Sequence, residues 1–452
     1  MTQLKNPPQI PYWKTLININ KIADNPIPFW SRGNRELGDI FAAYIGSQKI
    51  IVTINPDYIQ HILQKNNKNY YKSPVVKEIL GAQLGHGLLT IDGDYWLKQR
   101  RLIQPGFYKQ RILDLIDIMN NEGEAFCHEL AEQIQEQPVV DVAKAMMDIT
   151  FRIVTKALFS TGIDQLRLER VDYIITEMQK YVITQVRRPY LIPWLKLTGK
   201  VRHYNALREE TDKIVYDIIN QRRQSKETHN DLLDMLLNSR YEDTGEAMND
   251  KQLRDESMIL IVAGHETSAN ALAWTLYLLS QHPEVEQKLL DEVNSIVGNR
   301  SITADDLMQL NYTRQVIQES MRLYPPAWIV DRQALEDDEV GGYLIPKNAI
   351  TLLYIYGTHR NPKYWKDPDT FNPDRFSKEN MKDLPNYAYF PFGGGPRLCI
   401  GNNFAMFEMQ ILLTQLVKQF TFTLEPNQII EPQPMVTLRP RNGIKMKMQK
   451  RL

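Results

Sequence analysis

The longest apolar stretch of the chain, residues 258–279, is interrupted midway by His265, Glu266, Thr267, Ser268 and Asn270. It is long enough to cross a bilayer, but lipid penalises ionisable groups at its centre, so a helix buried inside protein accommodates it better. Burying such a helix takes a broad surrounding body. With 452 residues, 43% of them hydrophobic and 24% charged, the chain has the material for one, and this balance excludes a disordered, collagen-like or coiled-coil chain.

The periodicity agrees. From about Ile112 to Leu323 apolar residues recur three and four apart, as at Ile112, Leu115, Ile116 and Met119, which predicts amphipathic helices. Ahead of this body, residues 40–46 and 48–54 predict a hairpin turning at Gly46-Ser47, and Asn55-Pro56 caps the helix that follows. The stretch 187–200 carries two prolines and a glycine between helical patterns and predicts a connection able to act as a lid. Beyond Pro325 the helical period is lost; a last helix is predicted over 402–419 and terminal strands over 437–448. No internal repeat or linker divides the sequence, so one unit over 1–452 is expected, helical in the middle, β-rich at both ends, with a proline-rich N-terminal segment over 1–39.

Lys+Arg and Asp+Glu both number 54, so no global attraction to nucleic acid or acidic lipid is expected. The two cysteines, Cys127 and Cys399, exclude a disulfide-stapled scaffold and a four-cysteine zinc site, and fit a reducing cytoplasm. The first thirty residues, broken by five prolines, hold no apolar run long enough for a membrane anchor or signal peptide.

Four motifs carry candidate chemistry. In PFGGGPRLCIG, residues 391–401, three glycines, an arginine and a cysteine precede the last helix. Glycines let a backbone approach a bulky flat group, and a cysteine before a helix N-terminus gains donors that favour thiolate. A buried free cysteine beside a turn is the plainer alternative. In AGHETS, residues 263–268, an acid and an alcohol sit in the apolar helix, where Thr267 can bond back to the Ala263 carbonyl; the same His265-Glu266 lacks the second histidine of a zinc HExxH site, since position 269 is alanine. QESMRLYPP sets Glu319 and Arg322 three apart on one helix face, by itself an ordinary ion pair. GDYWLKQRRLIQPGF sets Trp96 and Arg100 one turn apart, facing one object or simply exposed.

The cysteine segment resembles the haem-thiolate signature FGxGxRxCxG of the cytochromes P-450, matched at Phe392, Gly393, Gly395, Arg397, Cys399 and Gly401. The other motifs resemble further elements of that family, of its soluble bacterial type, in the same order. The resemblance implies the cytochrome P-450 fold, mainly α with small β-sheets (α+β): a triangular helix-rich body with a β-rich lobe. It implies that Cys399 ligates the iron of haem b, that Phe392 packs beside the sulfur, and that Arg397, Trp96, Arg100 and Arg332 meet the haem propionates, with Ala263, Gly393 and Gly401 close to the cofactor. It implies that Glu266 and Thr267 route protons to bound dioxygen. Glu319, Arg322 and Arg375 are implied to form a structural triad. His359, before RNPKYW, is left unassigned, and His86 and Ser268 are small departures from the family pattern.

The implied reaction is monooxygenation, by hydroxylation or by O-dealkylation such as O-demethylation of a small organic substrate. Little chain follows Cys399, so no fused reductase is expected, and electrons from NAD(P)H are expected through a separate reductase with ferredoxin or flavodoxin, for which Lys98, Arg101, Lys109 and Arg111 offer a basic patch. By analogy the pocket is lined by the loop 72–89, the lid near 178–194, and Ile259, Val262, Ala327, Trp328 and Ile329, with Trp328 either stacking on a ring or packing; a fatty acid, a terpenoid, or a methoxylated compound or methylated sugar are all open. A peroxide-driven or isomerising haem-thiolate enzyme, or a haem-binding sensor or carrier, are the rival readings, and neither needs the Glu266-Thr267 pair.

Overall fold

The interrupted apolar stretch lies in a helix that spans Asp250–Ser280. Asn249 opens it with a capping box: its side chain accepts from the Gln252 N–H while the Gln252 side chain accepts from the Asn249 N–H. Nearly every residue beyond the first turn is buried, because the helix is packed on several sides by the helices Val142–Phe159, Lys200–Gln224, Asn311–Leu323 and Asn402–Gln419. Its closest approach is to Val142–Phe159, where a Cβ on Gly264 would stand 2.6 Å from Val154 Cγ2. Gly264 is therefore the residue that lets the two helices touch.

The computed structural model describes residues 4–160, 165–225, 229 and 231–451. The hairpin forms from strands Ile40–Ile45 and Gln48–Thr53 in antiparallel register, with Gly46 at φ +59. The second strand pairs in parallel with Ile350–Leu353, and Val330–Ala334 and Tyr70–Tyr71 complete a five-stranded sheet. Asn55 caps the next helix, accepting from the Asp57 and Tyr58 N–H groups. A three-stranded sheet joins Val139–Asp141, Lys445–Lys450 and Phe420–Leu424 on the other side of the helical body. The last helix runs over Asn402–Gln419 as its pattern predicts. The molecule is thus mainly α with small sheets.

The proline-rich N-terminal segment, for which the sequence pattern predicts no element, is largely helical. It forms three helices, Tyr12–Ile17, Ile19–Asp24 and Ile27–Leu37, of which Ile27 and Trp30 pack against Phe41, Val52 and Tyr354 of the sheet. Pro11 and Pro26 stand at N-caps, where a missing N–H breaks nothing. The stretch 187–200 connects the helices Gln165–Arg187 and Lys200–Gln224 through a turn at Pro189–Leu191 and a short helix, Ile192–Leu197. Among the described residues no helix is long and apolar enough to cross a membrane.

Candidate functional site

Cys399 lies between the 3-10 turn Gly395–Arg397 and the helix Asn402–Gln419. Its N–H donates to the Phe392 carbonyl at 3.0 Å and the Gly393 N–H to the Phe390 carbonyl at 2.9 Å, so the loop folds back on itself. Gly395 is obligatory: its φ is +61, and a Cβ there would stand 2.0 Å from the Leu63 carbonyl oxygen. Cys399 borders free space deep among protein atoms. So does Ala263, the single exposed residue between Gln252 and Ser280 of the long helix. Burial pushes the Cys399 thiol up from its ordinary value, against a bond from the Gly401 N–H and the charge of Arg100. The expectation that a helix N-terminus favours thiolate is therefore overturned for the bare side chain: desolvation of the anion outweighs both donors.

Cations gather around this loop. Arg397 donates to the Ile91 carbonyl at 3.1 Å and to Asp92 at 2.7 Å, and its guanidinium lies 3.5 Å over the Trp96 ring. Arg100, one turn after Trp96, reaches the Leu398 carbonyl at 3.1 Å. Arg332, on the strand Val330–Ala334, is buried, and its guanidinium donates to the Asp331 carbonyl at 2.6 Å. The fourth member, Lys72, belongs to no motif and was expected only as the first residue of the pocket-lining segment 72–89. Its ammonium is buried between Arg397 and Arg332 and donates to the Leu88 and Leu89 carbonyls. Burial drives Lys72 well below its ordinary pKa, lowers Arg332, and brings Arg397 to about 10. Against these four stand the carboxylates of Asp92 and Asp331, with Asp331 also bonded by the Ser73 hydroxyl at 2.7 Å, while burial pushes the nearby Glu256 carboxyl up to about 7. The cluster is short of negative charge. A flat dianion whose two carboxylates meet these cations restores the balance, and a thiol and glycine turn beside free space suit its face; the residues present fit haem b.

On the long helix Thr267 donates to the Ala263 carbonyl at 2.9 Å, the back-bond that the spacing predicts. Glu266 turns elsewhere and is buried. Gln179 of the helix Gln165–Arg187 donates to one of its oxygens, while the Thr437 hydroxyl, at 2.7 Å, and Arg439, at 3.4 Å, meet the other. Arg439 also donates to the Gln179 side chain at 2.7 Å, and Asn270 to Thr437 at 3.0 Å. The acid is thus held by Gln179 of the helix Gln165–Arg187 and by Thr437 and Arg439 near the end of the chain, all far from it in sequence.

The Glu319–Arg322 pair is fully buried and bidentate, at 2.6 and 2.9 Å. Arg375 stands 3.3 Å from Glu319, and Arg322 also donates to the carbonyls of His359, Pro368 and Thr370. These bonds tie the helix Asn311–Leu323 to the irregular segment ahead of the cysteine loop. His359 belongs to the same scaffold: its Nε2 accepts from the Phe390 N–H at 3.0 Å, and burial with Arg322 and Arg360 nearby keeps the ring neutral.

Ala327 and Ile329 are half-buried, whereas Ile259 and Val262 are packed in the main core. Trp328 packs beside Ile10, Trp30 and Tyr354 and donates to the Met435 carbonyl at 3.2 Å, so its ring is committed to the fold. The segment 72–89, expected as a loop, is instead helical over Val75–Leu80 and Gly81–Leu84, and its end is gripped by adjacent carboxylates of the long helix. Asp255 accepts from the His86 N–H at 2.9 Å and Glu256 from the Leu88 N–H at 3.0 Å. Of the basic patch, Lys98 is paired with Asp243 at 2.6 Å, which leaves Arg101, Lys109 and Arg111 as its cations. Among the described residues no cluster of three or more His, Cys, Asp or Glu is placed to hold a metal ion.

Residues 4–448 match the family model described as Cytochrome P450. Cyclooctatin synthase from Streptomyces melanosporofaciens is 32% identical over 402 residues, covering 89% of this chain and 86% of that protein. Cyclooctat-9-en-7-ol 5-monooxygenase from the same organism is 29% identical over 383 residues, covering 85% and 82%. The solved heme domain of cytochrome P450DA superposes with a TM-score of 0.89 at 25% identity, covering 99% of this chain and 98% of that one.

Proposed function

The chain belongs to the cytochrome P450 family as a monooxygenase, and from that premise we propose that it hydroxylates or O-dealkylates a small, largely apolar organic substrate with electrons from NAD(P)H, delivered by a separate reductase and ferredoxin or flavodoxin. The observation that carries the site assignment is the cluster of buried Lys72 and Arg332 with half-buried Arg100 and Arg397, short of negative charge beside Cys399. Cys399 is the residue to ligate haem iron, with the Gly401 N–H donating to its sulfur. The four cations and Trp96 would hold the propionates, and Phe392, Gly393 and Ala263 would line the cofactor. With haem b held there, the chemistry supplied is reductive activation of dioxygen, one atom entering the substrate and the other leaving as water.

The protein's own part is orientation and proton supply. Glu266 gathers a proton through its Thr437 and Gln179 contacts, and the Thr267 hydroxyl, one residue on, passes it toward the free space at Ala263. This pair separates the reading from a peroxide-driven or isomerising enzyme, which needs no proton relay. Two relatives bear names ending in synthase and monooxygenase, the second naming an alkenol as its substrate. That supports an alicyclic or terpenoid compound over a methylated sugar. The balanced charge of the chain and its two cysteines support a cytoplasmic location.

The test is the ferrous-carbonyl spectrum of the purified protein beside that of Cys399→Ser. A strongly red-shifted Soret band present in the parent and lost in the variant is expected; a histidine-like band in both overturns the ligand assignment. Spin-state titration with terpenoid alcohols, fatty acids and methoxylated compounds then ranks the substrate classes.

A further inference from the structure

The segment 85–91 joins the short helix Gly81–Leu84 to the helix Gly93–Ile103 and borders the cation cluster: Arg397 donates to the Ile91 carbonyl, and Lys72 to those of Leu88 and Leu89. It is neither helix nor strand, and side chains hold several of its backbone groups. The Thr90 hydroxyl donates to the Gly85 carbonyl at 2.7 Å, Asp255 accepts from the His86 N–H at 2.9 Å, and both Glu256 oxygens stand 3.0 Å from the Leu88 nitrogen. The Leu88 peptide is thus bracketed, its N–H on a buried acid of the long helix and its carbonyl on a buried ammonium.

Two glycines seat the segment on these acids. A Cβ on Gly87 would stand 2.8 Å from the Glu256 carboxyl carbon, and one on Gly85, at φ +100, would collide with Asp255. Glu256 is 1% exposed, and Gly87 and Leu88 are among the atoms that cover it. Lifting the segment therefore uncovers the carboxyl to water. In place, burial, with Asp255 beside it, raises Glu256 from 4.5 to about 7 against the Leu88 N–H and Lys72. Asp255 itself is held ionised by Lys251, at 2.6 Å, and by Arg254, at 2.8 Å, which also meets Asp212 of the helix Lys200–Gln224. Tyr241, which follows the helix Leu232–Asn238, is kept neutral by burial. His86 is exposed, with its ring against Gly81. Haem carboxylates among the cations would add negative charge on the Lys72 side and favour the protonated acid further. Opening releases a proton wherever the covered acid holds one and the uncovered acid does not. Opening is then favoured as pH rises from 4.5 to about 7 and levels off above that.

We propose that Glu256 is a positioning residue that seats the segment 85–91 beside the haem site while it is protonated and loosens it on ionising, so that entry to the site widens as pH rises. That this segment walls a substrate pocket rests on the haem-site reading above; that it opens with proton release does not.

Hydrogen exchange of the 87–91 amides in the haem-loaded protein, normalised to the chemical exchange rate at each pH, tests the latch. The opening constant is expected to rise by up to about tenfold per pH unit below neutrality and to flatten above it. In Glu256→Gln it is expected to stay low and level, since a glutamine oxygen still accepts from Leu88 and carries no proton to release. In His86→Asn the dependence of the parent is expected to persist. The association rate of tert-butyl isocyanide, a neutral ligand of ferrous haem, reads entry: a rise of about tenfold or more from acid to neutral pH is expected in the parent and none in Glu256→Gln. A level opening constant in the parent, a dependence that survives in Glu256→Gln or vanishes in His86→Asn, or isocyanide entry indifferent to pH overturns the proposal. The proton-linked opening without a red-shifted ferrous-carbonyl band supports the latch and overturns the haem-site reading instead.

Discussion

Arg439 and Gln179 hold the carboxyl that the reaction needs, so their removal separates holding from proton transfer. Glu266→Gln keeps much of the hydrogen bonding but has no acidic proton, and turnover is expected to fall about a hundredfold with the ferrous-carbonyl band unchanged. Arg439→Met instead removes both the cation 3.4 Å from the Glu266 carboxylate and the bond to Gln179, so it loosens the holding contacts while leaving the carboxyl itself, and turnover is expected to fall less than in Glu266→Gln; turnover of both variants against the parent reads this. Lys72→Met tests the residue that no motif marks. It preserves volume while deleting a charge-assisted bond, so haem loss is expected to quicken about tenfold or more, followed as the Soret absorbance that survives transfer to apomyoglobin. Cys399, Arg397, Trp96 and Arg100 were legible in the sequence because each lies in a short fixed spacing. Lys72 and Arg439 were not, since only the fold brings Lys72 beside Arg332 and Arg397, and Arg439 beside Gln179 and Glu266.

The grip of the helix Asp250–Ser280 on the segment 72–89 titrates. Burial, with Asp255 beside it, raises Glu256 from 4.5 to about 7 against the Leu88 N–H bond and Lys72. Between those values the folded protein keeps a proton that the unfolded chain has released, so stability falls as pH rises and the loss is complete above about pH 7. The total is about 3 kcal/mol at the usual conversion. Glu256→Gln is expected to flatten the fall in thermal midpoint between acid and neutral pH while the loop stays in place, because a glutamine oxygen still accepts from Leu88. A second element-scale lock is the Glu319–Arg322–Arg375 triad: Glu319→Gln leaves a buried arginine without its charge and is expected to cost about 3–5 kcal/mol in unfolding experiments. Elements were readable wherever a local signal is decisive, as at Gly46 in the hairpin turn and Asn55-Pro56 at a cap. The three N-terminal helices were hidden because prolines read as breakers until Pro11 and Pro26 are seen at N-caps.

At the scale of the whole molecule, a net charge of zero conceals segregation. Bases without acids occupy residues 178–208, and four cations, Lys72 and Arg332 buried and Arg100 and Arg397 half-buried, gather around the cysteine loop with Asp92 and Asp331 as their nearest ionised carboxylates. The second imbalance ties cofactor to stability, because the segment 72–89, the helix Gly93–Ile103, the strand Val330–Ala334 and the cysteine loop each bring one cation to the same place. Like charges on four separate elements push those elements apart unless a dianion stands among them. Extracting the haem is therefore expected to lower stability by more than the effect of one unpaired buried charge, about 3–5 kcal/mol. It is also expected to change the response to ions. Phosphate or citrate raises the unfolding temperature of the haem-free protein more than that of the loaded protein, since only the former offers the cluster to an anion. Lys72→Met in the haem-free protein reduces the repulsion and so shrinks that difference, whereas in the loaded protein the same substitution destabilises. Scanning calorimetry of both variants, with and without haem, at fixed ionic strength reads this reversal of sign; substitution effects of equal sign in the two forms would show that the cluster is not organised around a dianion.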